Sequence, residues 1–469
     1  MQNQVHDGAL SGRLFLVTGT AALGGFLFGY DSSIINGAVD AVRDRFGLSA
    51  AGIGFTVSCA LLGAMVGAWY AGVCADKLGR VRTMLIAAAL LAVSAIGSAF
   101  AFSAYDLIFW RFVGGIGVGF ASVIAPAYIA EVSPSDARGR LGSLQQMAIV
   151  FGIFLSLLVS ALFARAAGGA AETLWGLPAW RWMFLSAIVP TAAYGLMALR
   201  LPESPRFLVE RNRTSEAATV LQNVVGVAPA HIPRMIQEIR ATVTADARKS
   251  FSDLKGGTFL FLPVVWVGII LSVFQQFVGI NVIFYYSTTL WQSVGFDESN
   301  SFMISVFMSF VNILATFLAI ALIDKVGRRA LLLAGSATMT VTLAVMALAF
   351  HNAAVVDGTL TLPDPWGMIA LVAANLFILG FAASWGPVVW VLLGEMFPNR
   401  IRGMALGIAA AAQWLANFAI STTFPILSGI GLDFAYSLYA FFALLSLIFV
   451  WRAIEETKGR TLEQIRDTH

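Results

Sequence analysis

Asp76-Lys77-Leu78-Gly79-Arg80 follows an apolar stretch of membrane-spanning length, and Asp324-Lys325-Val326-Gly327-Arg328-Arg329 follows another in the second half of the chain. A second signal is also duplicated. Glu131 and Arg138 close an apolar stretch in the first half, and Glu395 and Arg402 close one in the second half with the same spacing. Because both signals occur in the same order in each half, the sequence predicts a duplicated unit of six membrane helices.

The composition excludes an ordinary soluble protein. The 469 residues are 58% hydrophobic and 12% charged, whereas a soluble domain carries about 25% charged residues. A helix needs about 20 apolar residues to cross a bilayer. We place such spans at 14–36, 52–75, 83–103, 107–130, 143–164, 181–200, 260–291, 301–323, 330–350, 367–394, 403–427 and 434–454. The prediction is an all-α integral membrane protein with twelve transmembrane helices.

The two halves are separated by a segment of different composition. Residues 201–258 are rich in charge, and Ile236 and Ile239 are spaced as in short amphipathic helices. The predicted organisation is an N-terminal bundle of six helices at 1–200, a helical linker at 201–258, a C-terminal bundle at 259–454 and a tail at 455–469.

The basic residues predict the orientation in the membrane, because short cytoplasmic loops retain positive charge during insertion. With the N-terminus inside, Arg111 lies within a span, Arg43, Arg45, Arg165 and Arg181 lie outside, and the rest of the 29 Lys and Arg residues lie on the cytoplasmic side. Both termini and the linker are therefore expected in the cytoplasm. The net charge of +3 reflects topology, and we expect no nucleic-acid partner.

Two cysteines, Cys59 and Cys74, share one apolar segment, so we expect neither a disulfide framework nor a thiolate metal site. The first apolar stretch lacks the features of a cleaved signal peptide. We also expect no cofactor, no metal and no enzyme activity, since no nucleophile, metal cluster or phosphate loop is apparent among the spans.

Several motifs resemble those of the sugar porter family of the major facilitator superfamily, over about residues 14 to 465. They are Gly24-Gly25-Phe26-Leu27-Phe28-Gly29-Tyr30-Asp31, Pro202-Glu203-Ser204-Pro205-Arg206, Gln275-Gln276-Phe277-Val278-Gly279-Ile280-Asn281, Gly386-Pro387-Val388-Val389-Trp390 and Glu456-Thr457-Lys458-Gly459-Arg460. Residues 123–131 and 142–146 are most similar to bacterial proton-coupled glucose permeases. The resemblance implies the major facilitator fold and transport of a monosaccharide by two bundles that rock around a central site.

A sugar-binding site requires hydrogen-bonding groups and an apolar plate, because a sugar presents several hydroxyls and apolar C–H faces. Unpaired amides are costly in a membrane span and usually face the bundle interior. Gln275 and Asn281 are about 240° apart around a regular helix, so we expect a break at Gly279. In the tenth span we expect a kink at Pro387 and an aromatic plate at Trp390.

By resemblance, the sugar ligands are Gln146, Gln275, Gln276, Asn281, Asn312, Trp390 and Gln413. We add Trp414, Gly386, Tyr285 and Phe28 as candidate contacts. Where many relatives have a second glutamine after Gln146, this chain has Ile153, which predicts one hydrogen bond fewer to the sugar. The alternative for the amides is hydrogen bonding between helices.

The duplicated charged residues predict a cytoplasmic latch, because carboxylate–arginine pairs can hold one conformation and release in another. The predicted latch residues are Asp76, Arg80, Glu131, Arg138, Asp324, Arg328, Glu395, Arg402, Glu203 and Glu456. Topological charge alone explains the arginines but not the repeated aspartates.

Asp31 is the predicted proton carrier, and Arg111 is its predicted partner. Ionisable residues inside a membrane are rare and usually functional, and these two are the candidates away from span ends. All four histidines lie outside the spans. By resemblance, proton symporters carry Asp at this position and many facilitators carry Asn. The alternative is a permanent ion pair without a role in coupling.

The sequence therefore predicts a proton-coupled monosaccharide symporter, with D-glucose as the favoured hexose. A pentose or galactose symporter, a facilitative sugar uniporter and a sugar sensor are the alternatives. The expected location is the bacterial cytoplasmic membrane, and the expected partners are the monosaccharide, the proton and the lipid bilayer. We expect a monomer.

Overall fold

The computed structural model describes residues 12–133, 138–246, 254, 256, 260–356, 359–398 and 401–457, which are mainly helical. The helices are α1 (Gly12–Ile34), α2 (Val39–Phe46), α3 (Ala50–Leu78), α4 (Arg80–Ala99), α5 (Ala104–Val132), α6 (Arg138–Ala167), α7 (Ala179–Ser186), α8 (Ile188–Ala198), α9 (Pro205–Glu210), α10 (Thr214–Val220), α11 (Ile232–Asp246), α12 (Pro263–Phe277), α13 (Ile280–Ser293), α14 (Glu298–Val326), α15 (Arg328–His351), α16 (Trp366–Ala382), α17 (Trp385–Met396), α18 (Arg402–Ile430) and α19 (Leu432–Ala453). Two short antiparallel hairpins are also present, β1 (Thr173–Leu174) with β2 (Leu177–Pro178) and β3 (Ala354–Val356) with β4 (Thr359–Thr361).

Eleven helical spans within the described residues are long and apolar enough to cross a membrane. The twelfth predicted span is present as α7 and α8, which are separated at Ala187. Pro190 lies in the first turn of α8, and its ring cannot be accommodated against a helical carbonyl four residues earlier. Pro190 therefore explains why this span does not form a single long helix. The chain is a multi-pass α-helical membrane protein.

The helices pack as two groups. In the first group α3 packs against α5, α1 against α6 and α4 against α5, and in the second α15 packs against α19 and α16, and α12 against α18. The contact between α3 and α5 is close because glycines face backbone. A Cβ atom at Gly63 or Gly115 would lie 2.2 or 2.0 Å from a backbone oxygen of the other helix, a packing mode common between membrane helices.

The two groups meet along two helix pairs, α3 with α18 and α6 with α14. Ser58 of α3 and Thr422 of α18 share a hydrogen bond of 2.5 Å across this boundary. The predicted linker helices are present as α9, α10 and α11, and Ile236 and Ile239 pack against apolar clusters as expected. We call the end of the molecule that carries these linker helices the linker face.

The bundles are joined by hydrogen bonds at the end away from the linker, which we call the opposite face. Asn36 and Thr288 form a reciprocal pair: the Asn36 amide donates to the Thr288 hydroxyl at 3.0 Å, and the Thr288 backbone N–H donates to Asn36 Oδ1 at 3.0 Å. Thr289 also donates to Asp40 at 2.9 Å, and the Ala170 N–H donates to a Glu298 carboxylate oxygen. Burial raises the pKa of Asp40. These contacts hold the opposite face closed.

Candidate functional site

Two transmembrane helices are interrupted near the centre of the second bundle. The predicted break at Gly279 is confirmed, because α12 ends at Phe277, α13 begins at Ile280 and Gly279 has φ of +84°. The second break lies at Ala383 and Ser384, between α16 and α17. Broken helices free backbone groups and are tolerated in membranes where protein or a cavity surrounds them.

The kink expected at Pro387 is wrong in position. The helix is interrupted at Ala383 and Ser384, and Pro387 lies within the first turn of α17. A proline in the first turn removes an N–H that has no helical acceptor there, so it is compatible with a regular helix. Gly386 and Trp390 both remain on α17, one turn apart.

The predicted amides form a chain of hydrogen bonds across the break in the seventh span. Asn281 donates to Gln276 Oε1 at 2.6 Å, and Gln276 donates to Gln275 Oε1 at 3.4 Å. Gln275 in turn donates to the backbone oxygens of Trp385 and Gly386 at 2.8 and 3.2 Å. The break at Gly279 therefore brings Asn281 to the same side as Gln276.

The other predicted sugar contacts are placed on several helices. Phe28 of α1 and Trp414 of α18 meet across the two bundles, with ring centroids 5.4 Å apart in an edge-to-face arrangement. The Trp390 side chain is 41% exposed. Gln413 has a buried Oε1 without a described partner. Gln146 of α6 is partly buried and Asn312 of α14 is buried.

Asp31 and Arg111 form a buried and loose ion pair. Asp31 is 8% exposed and Arg111 is 2% exposed. Arg111 Nη1 lies 3.7 Å from Asp31 Oδ2 and donates to the Asp31 backbone oxygen at 3.3 Å. A well-formed charged hydrogen bond is shorter, about 2.7–2.9 Å. Arg111 Nε is buried without a described partner, so the guanidinium is incompletely satisfied.

A small cavity lies beside this pair. Its lining includes Asp31 and Ser32 from α1, Arg111 from α5 and Tyr285 from α13, and the remaining lining residues are apolar: Val57, Ala60, Leu61, Ala64 and Val118. Tyr285 is 4% exposed, and its hydroxyl accepts from the Asn417 amide at 3.5 Å. A predicted sugar contact thus lies at the predicted proton site.

The predicted latch residues of the first half form one cluster. Arg80 donates to both carboxylate oxygens of Glu131, at 3.0 and 2.9 Å, and Ser204 donates to the same carboxylate. Glu203 accepts from the backbone N–H groups of Arg80 and Val81 at the start of α4, where the helix dipole favours an anion. Asp76 lies 3.5 Å from Arg80.

The second half repeats this cluster. Arg328 donates to both oxygens of Glu395, at 3.2 and 2.8 Å, and Thr457 donates to Glu395 at 2.6 Å. Glu456 accepts from the backbone N–H groups of Arg328 and Arg329 at 2.9 and 3.0 Å. The side chains of three predicted latch residues lie outside the described part of the chain: Arg138, Asp324 and Arg402.

Sequence reasoning missed several residues that organise the site. Ser204 and Thr457 occupy equivalent places in the two clusters, and their positions in matching motifs were the available signal. Trp385 is fully buried and donates from its ring N–H to the Ser336 hydroxyl and the Leu332 carbonyl, at 2.9 and 3.1 Å. This bond fixes the start of α17, to which Gln275 is bonded.

Comparison with known proteins gives matches over nearly the whole chain. The profile of the family described as "Sugar (and other) transporter" matches residues 17–468. A glucose transport protein from Synechocystis sp. is 54% identical over 96% of this chain and 97% of its own length. The D-xylose-proton symporter of Escherichia coli is 36% identical over 97% of this chain and 95% of its own. The inward-open structure of the Escherichia coli xylose transporter superposes with a TM-score of 0.82 at 35% identity, covering 97% of this chain and 99% of that one.

Proposed function

Since the chain belongs to the sugar transporter family of the major facilitator superfamily, we propose that it is a proton-coupled hexose symporter that works by alternating access, with D-glucose as its substrate. The choice of glucose is supported by the glucose transport protein that is 54% identical. Proton coupling is supported by the D-xylose-proton symporter and, in this chain, by the loose buried contact between Asp31 and Arg111. That contact is the observation that carries the proposal.

The proposed proton site works through the charge of Asp31. An ionised Asp31 is stabilised by Arg111, and a proton that enters from the outside neutralises Asp31 and releases this attraction. Arg111 makes fewer hydrogen bonds to the Asp31 carboxylate than in a bidentate pair. The free energy needed to protonate Asp31 is therefore smaller than in a bidentate pair. Release of the proton at the other side restores the pair and completes the cycle.

The proposed sugar site lies between the two bundles. Gln275, Gln276 and Asn281 supply amides, and Trp390 supplies the apolar plate, with Gln146, Asn312 and Gln413 as further ligands. Phe28 and Trp414, which meet across the bundle boundary, cover the sugar from the side. The buried amides must exchange partners for hydroxyls, which makes binding selective, because a missing hydroxyl leaves an unpaired amide.

We place the linker face and both termini in the cytoplasm, in a bacterial cytoplasmic membrane, and we propose a monomer. With that orientation, the closed opposite face leaves the sugar site facing the cytoplasm, as in the inward-open relative. The clusters of Arg80 with Glu131 and of Arg328 with Glu395 lie at the cytoplasmic face, and each holds together helix ends of one bundle. Their release in another conformation, as a latch requires, stays a prediction. The two bundles, 1–200 and 259–454, rock about the site, and the linker 201–258 connects them.

The competing function is facilitated diffusion, in which the Asp31–Arg111 pair is permanent. A competition panel against glucose uptake into proteoliposomes, with pH and a protonophore varied, separates the two. We expect uptake against a gradient when protons are supplied, loss of accumulation with protonophore, and competition by hexoses. Uptake that ignores protonophore and survives Asp31→Asn unchanged would establish the facilitator.

A further inference from the structure

Tyr285 is placed to connect the proton site with the sugar amides. Among the described residues that line the cavity beside Asp31, Tyr285 is the single one from the second bundle. Every other lining residue belongs to α1, α3 or α5. The cavity that surrounds the ion pair is therefore closed by a side chain of the bundle that carries most of the proposed sugar ligands.

Tyr285 is also anchored within its own bundle. Its hydroxyl accepts from Asn417 at 3.5 Å, and Asn417 accepts from the Ser421 hydroxyl at 3.1 Å. Tyr285 lies one helical turn after Asn281 on α13, so both side chains lie on the same face. Asn281 is bonded to Gln276 across the break at Gly279. A displacement of Tyr285 is therefore transmitted along α13 to Asn281 and, through its hydrogen bond, to Gln276.

The break at Gly279 allows α13 to shift relative to α12. A continuous helix would resist a local rotation, whereas α13 is separated from α12 at Gly279, which absorbs the change in backbone angles as a hinge does. α13 is also the helix that carries Thr288 and Thr289, which seal the opposite face. One element therefore touches the proton site, the sugar amides and the seal.

We propose that Tyr285 is a positioning residue that transmits the charge state of Asp31 to the sugar amides, through α13. The inference rests on the proposed proton symport. When Asp31 accepts a proton, its attraction for Arg111 falls, and the cavity that Tyr285 lines then contains a neutral acid instead of a carboxylate. The proton on Asp31 is the single group transferred, and no other bond is made or broken.

Few titratable or charged groups surround Asp31 in the described structure. Arg111 approaches from α5, Cys59 from α3 and Tyr285 from α13. Tyr194 of α8 lies two turns away, against Gly24 of α1. Of these, Tyr285 is the one that belongs to the second bundle, so a link between bundles depends on it.

The test is the pH dependence of glucose affinity in the purified full-length protein in lipid nanodiscs. Coupled ligands change each other's affinity by the same factor, typically about 5- to 150-fold. We expect the glucose dissociation constant to change about tenfold between acidic and alkaline pH in the wild type. In Tyr285→Phe, whatever its absolute affinity, we expect this ratio to fall below about threefold, as in Asp31→Asn.

Tyr286→Phe is the matched control. It removes the hydroxyl of the next residue on α13, which donates to the Ser421 carbonyl at 2.9 Å and does not line the cavity. This variant should keep the wild-type ratio. If Tyr285→Phe does not fold, Asn417→Ala, which removes the bonded partner of Tyr285, decides the question by the same ratio.

The outcomes separate this inference from the proposed function. If the wild-type affinity does not depend on pH and glucose causes no proton uptake, proton symport fails and the role of Tyr285 fails with it. If the wild type is pH-dependent and Tyr285→Phe keeps the full ratio, symport stands and the role of Tyr285 is overturned. If Tyr286→Phe also abolishes the pH dependence of the glucose dissociation constant, the effect of Tyr285→Phe reflects packing of α13 and the proposed role of Tyr285 is overturned.

Discussion

At the scale of single residues, the chemistry depends on a small number of polar groups inside an apolar protein. Asp31 and Arg111 were identifiable from the sequence, because charges are expensive within a membrane and two such residues stand out. The distance between the two side chains is not predictable from the sequence. They are far apart along the chain, and the 3.7 Å contact depends on how α1 packs against α5. In the proposed function, the looseness of that contact permits a proton to compete with Arg111 for Asp31.

Asp31→Asn should uncouple sugar from protons. The amide keeps the size of the side chain and cannot carry the proton, so we expect a proton gradient to drive no accumulation of glucose above its outside concentration. Exchange of labelled for unlabelled glucose, which needs no net proton movement, should persist. Both are measured in the same proteoliposomes. Loss of exchange together with accumulation would instead indicate a structural role for Asp31.

At the scale of elements, the spans were predicted well and their interruptions only in part. Apolar length fixed the twelve spans, and the spacing of Gln275 and Asn281 correctly required a break at Gly279. The sequence predicts a kink at Pro387, whereas the helix is interrupted at Ala383 and Ser384. The sequence shows which residues disfavour a continuous helix, but tertiary packing decides where the helix is interrupted. Here the ring N–H of Trp385 donates to Leu332 and Ser336 and so fixes the first residue of α17.

Gly279→Ala should damage the sugar site. A Cβ at this position would lie 2.8 Å from the Tyr439 ring, and φ of +84° is unfavourable for alanine, with a cost of about 1–3 kcal/mol. We expect glucose affinity to fall about tenfold or more, measured by binding to the purified protein. Gly407→Ala is the control, because a Cβ there meets nothing within 4 Å. Equal affinities in the two variants would contradict a required break.

The two latch clusters should contribute differently to the stability of the folded protein. The Glu131 side chain is 15% exposed and the Glu395 side chain is 30% exposed. Removing one partner of a buried ion pair costs about 3–5 kcal/mol, and less where solvent reaches the charge. We therefore expect Glu131→Gln to lower the midpoint of thermal unfolding more than Glu395→Gln does. A larger effect of Glu395→Gln would mean that burial does not decide the contribution of the latch.

At the scale of the whole molecule, the duplicated sequence signals predicted the two bundles, but they carried no information on which face is closed. That depends on pairs such as Asn36 with Thr288, which are remote in sequence and meet across the bundles. In the proposed alternating-access cycle, such contacts form in one conformation and break in another. Sequence patterns describe what all conformations share, which is why the spans were predictable and the seal was not.

Asn36→Ala should shift the protein toward the conformation that is open at the opposite face. The variant removes two hydrogen bonds across the bundles, each contributing about 0.5–1.5 kcal/mol. The population ratio should change about 5- to 150-fold. Distances between spin labels placed on the two bundles at the opposite face measure this shift. An unchanged distance distribution would show that other contacts maintain the seal.

In the proposed function, glucose and protons move together in each transport cycle. The most direct measurement uses sealed proteoliposomes that contain a pH-sensitive dye, with an inward glucose gradient and no imposed proton gradient. We predict that glucose entry acidifies the interior in the wild type and not in Asp31→Asn, and that an impermeant sugar has no effect. Glucose entry into wild-type vesicles without any change of internal pH would contradict proton symport.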